Sequence, residues 1–258
     1  MPLASGLSSS ALRHLDWDSD HFQFPVAEIV STDCNDEQLR QALQEAREAR
    51  YGLVYWWSKP DRSVPGLLEE FHGIRVNHRI TYRKDLNSSE NFPADSSPIG
   101  CCQIEELPCG PAPCWLQDLA IIAGAYSRFS VDLRLPVEKF QSLFRIWVER
   151  CAQGELAHRV WYAVPSDRTA GPVGFVTVSE FEGVGQIGLI AVEEASRGQG
   201  IASQLMSTAH QWLRERGAPE VRVVTQLENE AACGLYARWC YQPIELVQCF
   251  HFLLSAAK

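Results

Sequence analysis

Gly198 and Gly200 lie between an apolar run at 187–192 and an amphipathic stretch at 203–216. A strand that turns through such glycines into a helix aims successive backbone N–H groups at one point, and the helix N-terminus adds partial positive charge. That is chemistry for an anion, and the expected ligand is a pyrophosphate held along Arg197, Gly198, Gln199, Gly200, Ile201, Ala202 and Ser203. The spacing is neither the G-x-G-x-x-G of a dinucleotide fold nor the G-x-x-x-x-G-K-[ST] of a P-loop. Further on, Asn229 and Tyr236 stand seven residues apart on a helical stretch at 230–238, hence on nearly the same face. A tyrosine with a reference pKa of about 10 keeps its proton at neutral pH until a partner develops negative charge.

The pattern R-x-x-G-x-A between strand and helix resembles the coenzyme A loop of the GNAT superfamily of N-acetyltransferases. The order strand, cradle, helix, strand, Asn-led helix, strand from 187 to 254 is similar to that family's C-terminal half. The resemblance implies an α/β chain with the GNAT acyl-CoA N-acyltransferase fold, a mixed, splayed central sheet flanked by helices, preceded here by a smaller N-terminal α/β module. It implies acetyl-CoA as cosubstrate and no metal. Leu189, Ile190, Ala191 and Val192 would present backbone groups to the pantetheine arm, with one N–H there meeting the developing oxyanion. Asn229 would contact the coenzyme arm, and Tyr236 would protonate the leaving thiolate. Two positions depart from the pattern: Leu235 stands where a cation would suit the coenzyme phosphates, and Ala202 stands in place of a third glycine.

Two further segments narrow the resemblance. Residues 15–22 (LDWDSDHF) and 125–129 (AYSRF), together with the cradle, resemble the dTDP-fucosamine acetyltransferase family. This implies as acceptor the amine of a nucleotide-linked sugar of the dTDP-4-amino-6-deoxyhexose type. Arg128, expected near a helix end, would hold a phosphate through its planar fork, with Tyr126 or Phe129 stacking on base or sugar. A protein or peptide amine as acceptor, and a non-catalytic coenzyme A binding module, are the alternatives. Residues 76–79 (VNHR) offer no carboxylate to deprotonate the amine.

The elements that must position these residues alternate along the chain. Strands are expected at 26–30, 51–58 and 79–86, with helices at 35–50 and 65–72, giving an α/β module over 11–86. Residues 1–10 read as a frayed tail, and 87–98 (NSSENFPADSSP) as a solvated linker. The acetyltransferase domain then spans 99–258, with helices at 113–126 and 137–152 and strands at 103–107, 160–164 and 173–181. The net charge of −9 speaks against broad nucleic-acid binding. No apolar run reaches the roughly 20 residues a membrane helix needs, and no secretory leader pattern is seen, so the expected location is cytoplasmic, without membrane partners. The nine cysteines, with no C-x-x-C pair, are expected to be free thiols. A homodimer is compatible with the sequence.

Overall fold

The structure, a computed structural model, describes residues 11–87, 102–167 and 170–254. The expected tail lies outside the described residues, and of the expected linker only Asn87 is described. The chain forms two compact units, one running up to His78 and resuming at Val247, the other running from Arg79 to Leu246. It passes between them within β4 (Gly73–Asp85) and within β10 (Gln242–Leu253). The units are therefore not two consecutive segments of sequence.

In the first unit, β1 (Leu12–His14), β2 (Val26–Ile29), β3 (Leu53–Ser58) and the end of β10 follow one another across a sheet. Only β2 and β3 are parallel. A parallel neighbour needs a crossover, and α2 (Asp36–Glu48) supplies it. Asn35 caps this helix by accepting from the Gln38 N–H at 2.9 Å, while the Gln38 side chain accepts from the Asn35 N–H at 3.1 Å. Its buried stripe, Leu39, Ala42, Leu43 and Ala46, has the i, i+3, i+4, i+7 spacing of a helix facing one core. Trp56 packs there against Phe250, ring centroids 5.3 Å apart. The acidic segment at the start, expected only as a motif, folds as α1 (Asp16–Phe22), and α3 (Pro65–Glu70) carries a proline at its start.

The second unit holds a mixed sheet in the order β4, β9 (Glu220–Gln226), β8 (Val184–Val192), β7 (Gly174–Phe181), β6 (Arg159–Pro165), β5 (Cys102–Glu106). Only β8 and β9 are parallel. Val176 and Val178 of β7 join a core with α7 (Ile201–Glu215) and α8 (Glu230–Arg238). Their alternating neighbour Phe175 joins a second core with α4 (Cys114–Ala123) and α6 (Val137–Ala152). Successive strand residues face opposite ways, so these helix sets cover the two faces of the sheet. The eight described cysteines are free thiols.

Close approach of α7 to β8 depends on Gly185, where an added Cβ would lie 2.7 Å from Leu213 Cδ1 and 3.2 Å from Glu220 O. Gly185→Ala is expected to lower unfolding free energy by about 1–3 kcal/mol through overpacking. Urea denaturation checks this, with an unchanged slope and a lower midpoint.

Candidate functional site

The pairing of β8 with β9 runs from Val184↔Glu220 to Ile187↔Val223 and stops. Beyond it β8 stays with β7 as far as Val192, and β9 stays with β4 as far as Gln226. The two parallel strands therefore part in mid-sheet. A cavity of about 480 Å³ is lined by Ile190, Ala191 and Val192 of β8, the turn into α7, and Asn229, Leu235, Tyr236 and Arg238 around α8.

The backbone of β8 faces this opening in alternation. The Glu193 N–H reaches Val173 O at 2.7 Å, so Glu193 and Ala191 point their peptide groups toward β7, while Ile190 and Val192 point theirs away. The Val192 carbonyl accepts from Arg197 Nε at 3.2 Å. That bond draws the loop back onto the strand.

Gly198 and Gly200 both have φ of +78°, a conformation that costs other residues and lets the chain double back before α7. Gly200 is the N-cap, with no side-chain cap, so the first amides of α7 have no acceptor within the helix. The Arg197 N–H is itself committed, 3.2 Å from Glu194 O. An anion here would be met by the amides from Gly198 onward, with Ser203 and the guanidinium of Arg197 beside them.

Asn229 caps α8 by accepting from the Ala232 N–H at 3.1 Å, which commits its carbonyl oxygen and leaves the amide NH₂ as donor at the cavity wall. Tyr236, two turns on, is 2% exposed and still borders the cavity. Behind it stand Tyr82 and Tyr241, ring centroids 5.7 and 5.6 Å away. Tyr241 shares a 2.7 Å hydrogen bond with His210 Nε2. Burial raises the Tyr236 phenol well above its usual range and pushes Tyr82 up to about 12, with a Cys233 hydrogen bond adding to the latter. Burial lowers His210 to about 3, and the Arg214 and Lys84 charges act the same way. The wall behind Tyr236 is thus uncharged at neutral pH.

Of the cofactor residues expected from sequence, all but Leu189 and Gln199 line the cavity. Leu189 is turned into the core under α4 and α6. Among the expected acceptor residues, Tyr126 reaches the cavity and is 42% exposed, whereas Arg128 and Phe129 are not in its wall. Arg128 does not end a helix: α4 stops at Gly124, and Arg128 opens the short α5 (Arg128–Val131), capped by Ser127, which accepts from the Ser130 N–H at 3.2 Å. Its guanidinium lies 4.4 Å over the Phe129 ring. Sequence reasoning missed Arg238 and Ser196, both in the wall. The cation sought at Leu235 stands one helical turn later in Arg238, on the same face, which was the available signal. Leu235 itself is buried.

The sequence profile of the acetyltransferase (GNAT) family matches residues 129–240, a span that contains the cradle, Asn229 and Tyr236. Residues 129–240 carry a GNAT-family acetyltransferase domain. A dTDP-fucosamine acetyltransferase from Escherichia coli O6:H1 (strain CFT073) is 32% identical over 124 residues, covering 47% of this chain and 50% of that protein. N-alpha-acetyltransferase 30 from Schizosaccharomyces pombe is 39% identical over 54 residues, covering 21% of this chain and 36% of that protein. The chain thus spans half or less of the length of these curated relatives. The crystal structure of a GCN5-related N-acetyltransferase from Sphaerobacter thermophilus shares the fold, with a TM-score of 0.56 at 17% identity over 94% of this chain and 76% of that one. Among the described residues no helix is long and apolar enough to cross a membrane, and no group of three or more His, Cys, Asp or Glu is placed to hold a metal ion.

The GNAT family uses acetyl-CoA, and the cavity fits it: a slot open along a strand edge, with free amides and arginines at one end and a buried phenol at the other. A Cβ at Gly198 would meet nothing within 4 Å, so substitution there acts through φ alone. Gly198→Val, at a cost of roughly 1–2 kcal/mol in this conformation, is expected to weaken coenzyme A binding about tenfold. Isothermal titration calorimetry with free coenzyme A measures this.

Proposed function

We propose that the protein transfers an acetyl group from acetyl-CoA to a primary amine by direct attack in a ternary complex. The observation that carries this reading is the parting of β8 and β9, which leaves strand-edge peptide groups, an anion cradle and a buried tyrosine around one slot. Acetyl-CoA supplies an acetyl group activated as a thioester. Loop and α7 amides from Gly198 to Ser203, with Arg197 and Arg238, hold the coenzyme phosphates. Ile190 and Val192 pair with the pantetheine arm as a strand would, and the Ile190 N–H meets the oxygen that gains charge as the amine adds. Asn229 donates to the arm through its side-chain NH₂.

Tyr236 donates its proton toward the sulfur as the thiolate leaves, and the proton that the acylated nitrogen gives up as the amide forms returns through water to the phenolate. Its raised pKa keeps the phenol protonated throughout the neutral range, and the desolvation that causes the shift also raises the proton affinity of a thiolate in the same place. The described cavity wall contributes no carboxylate or imidazole, so the amine enters already neutral and positioning supplies most of the rate.

We further read the acceptor as a nucleotide-linked amino sugar, supported by the similarity to a dTDP-fucosamine acetyltransferase over about half the chain and by Tyr126 at the cavity, where it can stack on a base or sugar. A peptide amine is the second reading, supported by the shorter match to an N-alpha-acetyltransferase. The proposed setting is the cytoplasm, where acetyl-CoA is made available.

The test is thiol release from acetyl-CoA with a dTDP-4-amino-6-deoxyhexose and, in parallel, with a peptide bearing a free N-terminus. Turnover with the sugar alone supports the first acceptor, and turnover with the peptide alone replaces it. With the productive acceptor, Tyr236→Phe is expected to lower kcat about 10- to 100-fold while KM for acetyl-CoA changes little. The native rate should rise with pH through the pKa of the acceptor ammonium, with no fall from Tyr236 up to about pH 9, since a raised phenol pKa holds the proton on as pH climbs.

A further inference from the structure

We infer that Thr177 of β7 is a positioning residue for acetyl transfer, because its side chain holds the bulge in β8 that turns the Ile190 N–H into the slot. The inference rests on the acetyl-CoA reading above, and its test separates the two.

The pairing of β7 with β8 steps from Val176↔Ile190 to Val178↔Ile187, so Gly188 and Leu189 together face Thr177. One residue extra on one strand reverses the alternation beyond it. The side chains record this reversal. Ile187 belongs to the core under α7, and in a regular strand Leu189 and Ala191 would share its face, yet both lie in the core under α4 and α6. Ile190 and Val192 instead pack toward α7. Peptide groups reverse with side chains, so the bulge decides that Ile190 and Val192 face the slot and Ala191 faces β7. Without it the Ile190 N–H would be spent in the ladder with β7.

A bulge leaves one amide without a backbone partner in the ladder, and inside a core that amide needs an acceptor. Leu189 N–H donates to Thr177 Oγ1 at 2.8 Å, and Thr177 is 1% exposed. The hydroxyl also occupies the space beside residue 188, where a Cβ would lie 2.7 Å from Oγ1, so only glycine fits there. The thiol of Cys151 completes the arrangement. Burial pushes it up to about 11, with a hydrogen bond to Thr177 opposing that rise, so the thiol stays protonated against the same hydroxyl. Thr177 touches neither substrate nor cosubstrate in this account. Its effect passes through the direction of one amide.

Thr177→Val keeps the shape and removes the acceptor, Thr177→Ser keeps the acceptor and removes a methyl, and Gly188→Ala displaces the hydroxyl from the other side. Two readouts apply: steady-state kinetics with the amine that turns over, and the infrared C=O stretch of acetyl-CoA labelled with ¹³C at the thioester carbonyl. The native protein should bind acetyl-CoA with the stretch shifted to lower frequency. Thr177→Val and Gly188→Ala should lose that shift and about 10- to 100-fold in kcat, with KM for acetyl-CoA within about twofold, while Thr177→Ser retains both. Should Thr177→Val fail to fold, Gly188→Ala and Thr177→Ser carry the comparison. A native shift and kcat retained in Thr177→Val or Gly188→Ala, or lost equally in Thr177→Ser, overturns the role of Thr177 while leaving the acetyltransferase reading intact. A native protein that does not bind acetyl-CoA overturns both.

Discussion

Two parallel strands that part in mid-sheet leave backbone donors and acceptors facing each other across a gap too wide for a ladder. Buried peptide groups must find partners, so such a gap persists in a folded chain only where something else completes it. From Gly188 onward β8 has this problem on one side only, because β7 continues to pair with it on the other. The rest of the second unit is arranged around that edge. Arg197 ties the loop to the Val192 carbonyl, the glycines at 198 and 200 turn the chain so that α7 points its free amides at the gap, and Asn229 starts α8 on the opposite bank. A ligand with a strand-like amide arm and an anionic end completes both deficits at once, which is why the geometry suits coenzyme A better than a compact metabolite.

Electrostatics divides the slot into two ends. The cradle end is open and cationic, set in a chain whose net charge is −9. The inner end is buried, walled by Tyr236, Tyr82, Tyr241 and a His210 held neutral by burial. In the proposed transfer, charge that appears on sulfur or oxygen beside these buried rings would be weakly screened, so a single phenol and a single strand amide would carry more weight than they would at a surface. The bulge at Gly188 and Leu189 links fold to chemistry, since it gives Leu189 to the core and Ile190 to the slot.

Much of this was legible in the sequence because it rests on local rules. Glycines before an amphipathic run identify the turn into α7, and Asn229 seven residues before Tyr236 marks a capped helix with both on one face. The bounds of α8 coincide with those expected. What could not be read depends on pairing at a distance. A residue-by-residue alternation places 187, 189 and 191 together, and only the register against β7 shows that Leu189 points the other way. Arg128 looked like the end of a helix because apolar spacing runs from 113 to 126, but Gly124 ends α4 and Ser127 caps a new turn, leaving Arg128 stacked on Phe129. The division of the chain was hidden for the same reason, since nothing local in 247–253 says that it pairs with β3.

Hydrogen–deuterium exchange with and without acetyl-CoA tests whether the gap between β8 and β9 seats the coenzyme as proposed. Slowed exchange in peptides covering 188–203 and 229–236, with the β9 segment 220–226 already protected by β4 and unchanged, is the predicted result. Protection that falls elsewhere while those segments exchange as before would contradict it.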